Sequence, residues 1–227
     1  MRAVLLDALG TLLELQPPVP ALRAELAARG VEIDDAEAGA TLLAEITYYR
    51  AHHLEGSDRA AVARLRRRCA EVMRAALPER VRDALPLEDL EVAMIAALRF
   101  EPYPEVPAAL EELRRRGLRL VVVSNWDVSL HDQLAGDGLG RLVHGIVSSA
   151  ELGAAKPAPA AFTHALTLAG VPAEEAAHVG DRVEEDVAGA RAAGIEPVLV
   201  VRDGAPPALQ QPVWTIRSLR ELEVLGP

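Results

Sequence analysis

The feature that most constrains this chain is an interrupted alternation. Residues 3–7 (Ala-Val-Leu-Leu-Asp) form a short apolar run that ends in an acid and is followed by Gly10 and Thr11, the pattern of a buried strand closed by a turn. From about residue 17 to 100 no convincing strand follows. That stretch carries helical periodicities rich in Ala, Leu, Glu and Arg, punctuated by Gly30, Gly56-Ser57-Asp58, Pro78 and Pro86. Ser57 or Asp58 is placed to cap the helix that runs through Cys69 to residue 76. Beyond Pro102 the alternation resumes: a helix over 106–116, a strand over 118–123, a helix from 129, a strand over 144–147, a helix over 160–169, a strand over 176–179, a helix over 184–193 and a strand over 197–201. Alternation at this spacing specifies a parallel sheet covered on both faces. The expected architecture is an α/β core, residues 1–15 and 102–227, with an all-helical domain, 16–101, inserted after the first strand.

Composition narrows the function. A chain of 227 residues buries roughly 70–75% of its unfolded surface and needs no covalent staples. Its single cysteine, Cys69, cannot form an internal disulfide and falls among apolar helical positions, which fits a small core residue in a reducing cytoplasm. No run approaches ~20 apolar residues, and no signal-peptide pattern precedes Val4-Leu5-Leu6, so neither a membrane span nor export is expected. The net charge of −10 argues against a nucleic-acid partner. The triplets Arg66-Arg67-Arg68 and Arg114-Arg115-Arg116 sit between acidic neighbours, as solvated helix faces do. A cytoplasmic monomer or homodimer acting on a small metabolite is the expectation.

In a Rossmann-like parallel sheet, ligands lie outside the carboxyl ends of the strands. The residues just beyond each apolar run are therefore the ones to inspect: Asp7, then Ser124 and Asn125, then Asp181 with Asp186. Three carboxylates in one crevice repel strongly, since two unit charges ~4 Å apart cost about 4 kcal/mol at an effective dielectric near 20. Either a proton or a divalent cation must sit among them, and hard oxygen ligands favour Mg²⁺ beside a phosphate. Ser124 and Asn125 offer a hydroxyl and an amide to a phosphoryl oxygen. Lys156 is the only lysine among 24 basic residues, and it falls between these groups, where a compact ammonium can neutralise an oxyanion or restrain Asp7.

Four ordered segments, Asp7-Ala8-Leu9-Gly10-Thr11, Val123-Ser124-Asn125, Lys156-Pro157 and Gly180-Asp181-Arg182-Val183-Glu184-Glu185-Asp186, resemble the motifs of the haloacid dehalogenase-like (HAD) hydrolase superfamily. The helical insert resembles the cap of that family's first subclass, with hinges near Gln16-Pro17-Pro18 and Phe100-Glu101-Pro102. The resemblance implies that Asp7 is a nucleophile forming a covalent aspartyl intermediate. It implies that Ser124 and Lys156 bind the transferring group with support from Asn125, and that Thr11 orients the loop. It further implies Mg²⁺ held by Asp7, the Leu9 backbone carbonyl, Asp181 and Asp186.

One position departs from the pattern. Most phosphatases of the family carry a general acid and base two residues after the nucleophile, where this chain has Leu9. Such help is worth roughly 10²–10⁴-fold. The resemblance then leaves three readings: a Mg²⁺-dependent phosphate-ester hydrolase that favours good leaving groups or takes its acid from Tyr48, Tyr49, His52 or His53; a metal-independent 2-haloacid dehalogenase, whose halide leaves without a proton; and a HAD-like domain kept for binding. A phosphonate-cleaving relative needs a Schiff-base lysine in the cap, and none occurs over 17–100. The acidic fourth motif would repel a haloacid carboxylate, which puts the phosphoryl reading first, with a small phosphorylated metabolite as substrate.

Overall fold

The computed structural model describes residues 1–209 and 211–224. It divides into two compact units: Met1–Glu14 with Glu101–Pro227, and Leu15–Phe100. In chain order the strands are β1 (Ala3–Leu6), β2 (Leu13–Leu15), β3 (Phe100–Pro102), β4 (Arg119–Ser124), β5 (Gly145–Ser148), β6 (Ala176–Gly180), β7 (Glu196–Val200) and β8 (Trp214–Ile216). Six of them form one sheet in the order β5-β4-β1-β6-β7-β8, with every described pair parallel.

β1 is central because its four residues are all apolar and all fully buried, which only a strand covered on both faces tolerates. Ala3 and Leu5 face Val121, Val123, Phe162 and Ala165 in one apolar cluster. Leu6 pairs with Val122 of β4 and Val179 of β6, so the residues that follow these three strands emerge along one edge. The chain steps outward from β4 to β5 and returns to β6 on the other side of β1. That reversal of direction is where open α/β sheets take their ligands.

The structure adds elements that periodicity missed. β8 extends the sheet by one strand beyond 197–201, and β2 pairs with β3 in a separate two-stranded sheet. The segment expected as a helix over 184–193 is π-helical over Val183–Ala188 before a short α-helix. No helix among the described residues is long and apolar enough to cross a membrane.

The second unit contains α1 (Pro18–Ala27), α2 (Asp35–His52), α3 (Arg59–Ala76), α4 (Glu79–Arg82) and α5 (Leu87–Ala97). Asp34 opens α2 with a capping box: it accepts from Glu37 N–H, and Glu37 accepts from Asp34 N–H. Asp58, the second of the two candidates, caps α3 by accepting from Ala61 N–H at 2.8 Å. The core of this unit joins Leu22, Leu42, Leu65, Met73 and Leu90 with Cys69, which is buried as its apolar setting implied. The remaining helices, α6 (Val106–Arg115), α7 (Leu130–Gly136), α8 (Ser149–Leu152), α9 (Pro159–Ala169) and α10 (Gly189–Ala192), belong to the first unit.

Glu45 of α2 is buried beside Cys69, and burial pushes its carboxyl up to about 7 against the bond that Cys69 provides. Because the folded pKa lies above the ordinary 4.5, the fold retains a proton that the unfolded chain releases, so stability falls as pH rises from about 4.5 to 7 and stays low above it. A shift of this size corresponds to about 3 kcal/mol. Urea unfolding of Glu45→Gln should therefore match the parent at pH 5 and exceed it clearly at pH 8. Equal stabilities at both pH values would contradict a neutral, buried Glu45.

Candidate active site

β1, β4 and β6 lie side by side, and the chain leaves all three at the same edge. Asp7 follows β1, Ser124 closes β4, and Asp181 follows β6. Lys156 arrives from the loop before α9. Its Nζ lies 2.6 Å from Asp7 Oδ1 and 2.6 Å from Asp186 Oδ1, and the three side chains are almost wholly buried. Ser124 Oγ also donates to Asp7 Oδ1, at 3.1 Å. Both donors fall on Oδ1, so Oδ2 carries neither. Asp186 is held from behind, with His178 Nε2 at 2.9 Å from Oδ1 and Arg182 N–H donating to Oδ2 at 2.9 Å.

Local backbone geometry makes this arrangement possible. The N–H groups of Asp186 and Val187 both bond the Arg182 carbonyl, at 2.9 and 3.2 Å. The resulting wide turn swings Asp186 back under the end of β6. A Cβ on Gly180 would lie 2.1 Å from Asp186 Cγ, so only glycine fits there. Gly10 meets the same constraint at the turn after β1: its φ is +82°, and a Cβ would lie 2.4 Å from Asp181 Oδ2. Within that turn the N–H groups of Thr11, Leu12 and Leu13 bond the Ala8 carbonyl, and Gly10 N–H bonds the Leu13 carbonyl. None of these bonds is spent on the carbonyl of Leu9.

The electrostatics follow from burial and proximity. Burial disfavours the charge on Lys156, but Asp7 and Asp186 overcome it and hold the ammonium above the usual lysine range. Burial likewise opposes the charge on Asp186, yet Lys156 and His178 hold its carboxyl well below the usual range. Burial pushes Asp7 up against the pull of Lys156, and Asp186 adds to the push. Asp181 is raised to about 7 by burial, then by Asp7 and Asp186. Asp7, Asp181 and Asp186 offer oxygens that all lie within 4.8 Å of one another. Three carboxylates face one ammonium, and Asp181 Oδ1 is buried with no hydrogen-bond partner. An all-oxygen donor set with an orphaned carboxylate oxygen and excess negative charge fits a hard dication.

The sequence-expected residues separate into two groups. Asp7, Ser124, Lys156, Asp181 and Asp186 converge. Asn125, expected to support the substrate pocket, and Thr11, expected to orient the loop and counted among the substrate-binding candidates, make their described contacts within the protein. Asn125 accepts from Lys156 N–H at 2.7 Å and donates to the Lys156 carbonyl and to Glu185, so its amide is committed to holding the lysine. Thr11 is fully buried and its Oγ1 bonds nothing, while its carbonyl accepts from Arg202. Asp186 has both oxygens engaged by the protein, which suits it to anchoring Lys156 more than to direct ligation. In the helical unit, Tyr48 and His52 stack at 4.0 Å, and His52 and His53 each tie Nδ1 to an α2 carbonyl. Arg68 pairs with Glu55.

Two residues of this region escaped the sequence reading. His178 lies inside β6 and Arg202 two residues beyond β7, so neither is the residue that directly follows a strand. A histidine inside the otherwise apolar run 176–179 was the available clue.

The sequence matches the haloacid dehalogenase-like hydrolase family over residues 1–194. The chain belongs to that family, and the matched residues include Asp7, Ser124, Lys156, Asp181 and Asp186. It is 41% identical to phosphoserine phosphatase of Thermus thermophilus over 126 residues, 55% of this chain and 51% of that protein, so the match spans about half the relative's length. Among solved structures it is similar to a HAD phosphatase from Thermococcus onnurineus (25% identity, TM-score 0.67, covering 98% of this chain and 96% of that one). It is equally similar to a 2-haloacid dehalogenase from Pseudomonas syringae pv. Tomato (25% identity, TM-score 0.67, covering 98% and 96%). The fold is thus shared by both chemistries, and the site residues must discriminate between them.

Two glycine substitutions should act in opposite directions. Gly180→Ala forces a methyl group into Asp186 and should cost about 1–3 kcal/mol in urea unfolding. Gly39→Ala, inside α2 with nothing within 4 Å, should stabilise by about 1 kcal/mol. An unchanged stability in Gly180→Ala would mean that Asp186 yields without strain.

Proposed function

We propose that this hydrolase cleaves a small phosphate ester through an aspartyl-phosphate formed on Asp7, with Mg²⁺ as cofactor. The observation that carries the reading is the orphaned, buried Asp181 Oδ1 inside a cluster with more carboxylates than cations. A dehalogenase would bring a substrate carboxylate to the same cluster and add to its repulsion. The phosphatase named among the relatives supports the same choice. Mg²⁺ would be held by Asp7, the Leu9 carbonyl and Asp181, with Asp186 behind, and would supply positive charge to the phosphoryl oxygens.

The chain's own groups do the rest. Lys156 and Ser124 hold Asp7 Oδ1, which leaves Oδ2 to attack phosphorus as the ester P–O bond breaks and the alcohol oxygen departs with the electron pair. Water then attacks phosphorus as the bond between Asp7 Oδ2 and phosphorus breaks, which restores the carboxylate and releases phosphate, and one proton of that water passes through solvent to the departed alcohol oxygen. The ammonium of Lys156 balances negative charge as it shifts from Asp7 to the phosphoryl group. Leu9 donates no proton, so the rate depends steeply on how well the leaving group bears charge. In this reading Leu15–Phe100 is the cap, the remainder is the catalytic core, and the protein works in the cytoplasm on a small metabolite.

Leu9 is also the one observation that favours the dehalogenase reading, because a halide needs no proton. Phosphate and chloride release measured on aryl phosphates, alkyl phosphates and 2-haloacids, with Mg²⁺ and with chelator, separates the readings. Phosphate release that is lost with chelator and in Asp7→Asn is expected. Chloride release that survives chelation overturns the proposal, and no product from any of these substrates points to a binding protein. Leu9→Asp should raise alkyl-phosphate hydrolysis by up to about 10²-fold while raising aryl-phosphate hydrolysis much less. An equal gain on both would show that protonation does not limit the parent.

A further inference from the structure

Arg202 lies two residues beyond β7, outside the four motifs, yet its side chain is only 13% exposed. Its guanidinium donates to Glu105, to the carbonyl of Thr11 and, at 3.3 Å, to the carbonyl of Arg217. Its flat face lies 3.8 Å from the centroid of the Tyr103 ring. One side chain therefore joins the turn after β1, the segment after β3 and the segment after β8. Tyr103 N–H bonds the Leu12 carbonyl at 3.1 Å, which ties the same two segments together a second time.

We infer that Arg202 is a positioning residue: it sets the turn between Asp7 and Leu13, and with it the Leu9 carbonyl and the Gly10–Asp181 contact. The reason is the tolerance of that turn. Gly10 approaches Asp181 so closely that a single methyl group would not fit between them. A shift of a few tenths of an ångström at Thr11 is therefore felt at Asp181 and Leu9, the groups that would face the cation. The task needs arginine. Several directional N–H groups and a stacking face are used at once, and an ammonium offers neither the fork nor the plane.

The metal half of the test rests on the Mg²⁺ reading above, and the backbone half does not. Arg202→Lys and Glu105→Gln are made in the full chain. Thermal unfolding, Mg²⁺ titration calorimetry and amide hydrogen exchange over residues 8–13 are then measured. Arg202→Lys should keep a melting temperature close to the parent's, exchange faster over 8–13 specifically, and bind Mg²⁺ about tenfold or more weakly, as loss of an outer-shell support does. Glu105→Gln, which keeps the guanidinium but weakens its hold, should shift both readouts the same way by less. A lowered melting temperature with unchanged exchange over 8–13 would make Arg202 a structural brace only and overturn the inference. If the parent itself takes up no Mg²⁺, the metal reading fails, and exchange over 8–13 alone decides for or against Arg202.

Discussion

The rest of the site depends on one buried ammonium placed between two carboxylates. Lys156 has 1% of its side chain exposed and touches Asp7 and Asp186 at the same distance, 2.6 Å. Removing such a charge from water is strongly unfavourable unless partners and geometry are both good. That cost explains the neighbourhood. Asn125 pins the lysine main chain through its N–H and carbonyl, His178 shares Asp186 Oδ1 with the ammonium while Arg182 N–H satisfies Oδ2, and Gly180 leaves the space that the carboxylate fills. An arginine at 156 would bring a wide planar fork where a compact ammonium contacts two carboxylates at 2.6 Å each. The chain uses arginine nearly everywhere else, so the exception falls where the shape of the cation matters.

This ammonium satisfies Asp7 and Asp186 but leaves Asp181 behind. The third carboxylate is raised by burial and by its two neighbours more than Arg182 and Lys156 lower it, and one of its oxygens has no hydrogen-bond partner among the described residues. The cluster is thus bridged by the ammonium at Asp7 and Asp186 and unbalanced at Asp181. A site of this kind binds positive charge, or negative charge together with a metal, and a phosphoryl group with its dication meets that description. Leu9 places an apolar side chain in the same turn while its main-chain carbonyl takes none of the hydrogen bonds that close that turn.

Much of the fold was legible in the sequence because its signals are local. The apolar run that became β1, the resumed alternation after Pro102 and the cap at Asp58 each read correctly from neighbours along the chain. β8 escaped because three residues give no period to detect, and the π-helical turn at Val183–Ala188 escaped because a helix-length pattern does not reveal which carbonyl each N–H chooses. Asp7, Ser124 and Asp181 were identifiable by their place at strand ends, Asp186 by its closeness to Asp181, and Lys156 as the chain's one lysine. Asn125 and Thr11 were identifiable as near the site, but their hydrogen-bond partners across the fold were not.

The sequence by itself determined the α/β class, the membership of the hydrolase family and the five side chains that converge, because strand periodicity and motif order are properties of the chain as a line. Only the tertiary structure decided which atoms those side chains spend on one another. That Asp7 is bonded through Oδ1, that Asn125 serves the lysine main chain, that His178 backs Asp186 and that Arg202 reaches Thr11 are all consequences of distances across the sheet edge. Arg202 is 191 residues from Thr11 in sequence, and contact between them exists only because β1 and the end of β7 are brought to the same edge. Hydrogen-bond partners within a buried polar cluster are chosen by competition in three dimensions, and nothing in the order of residues records the outcome.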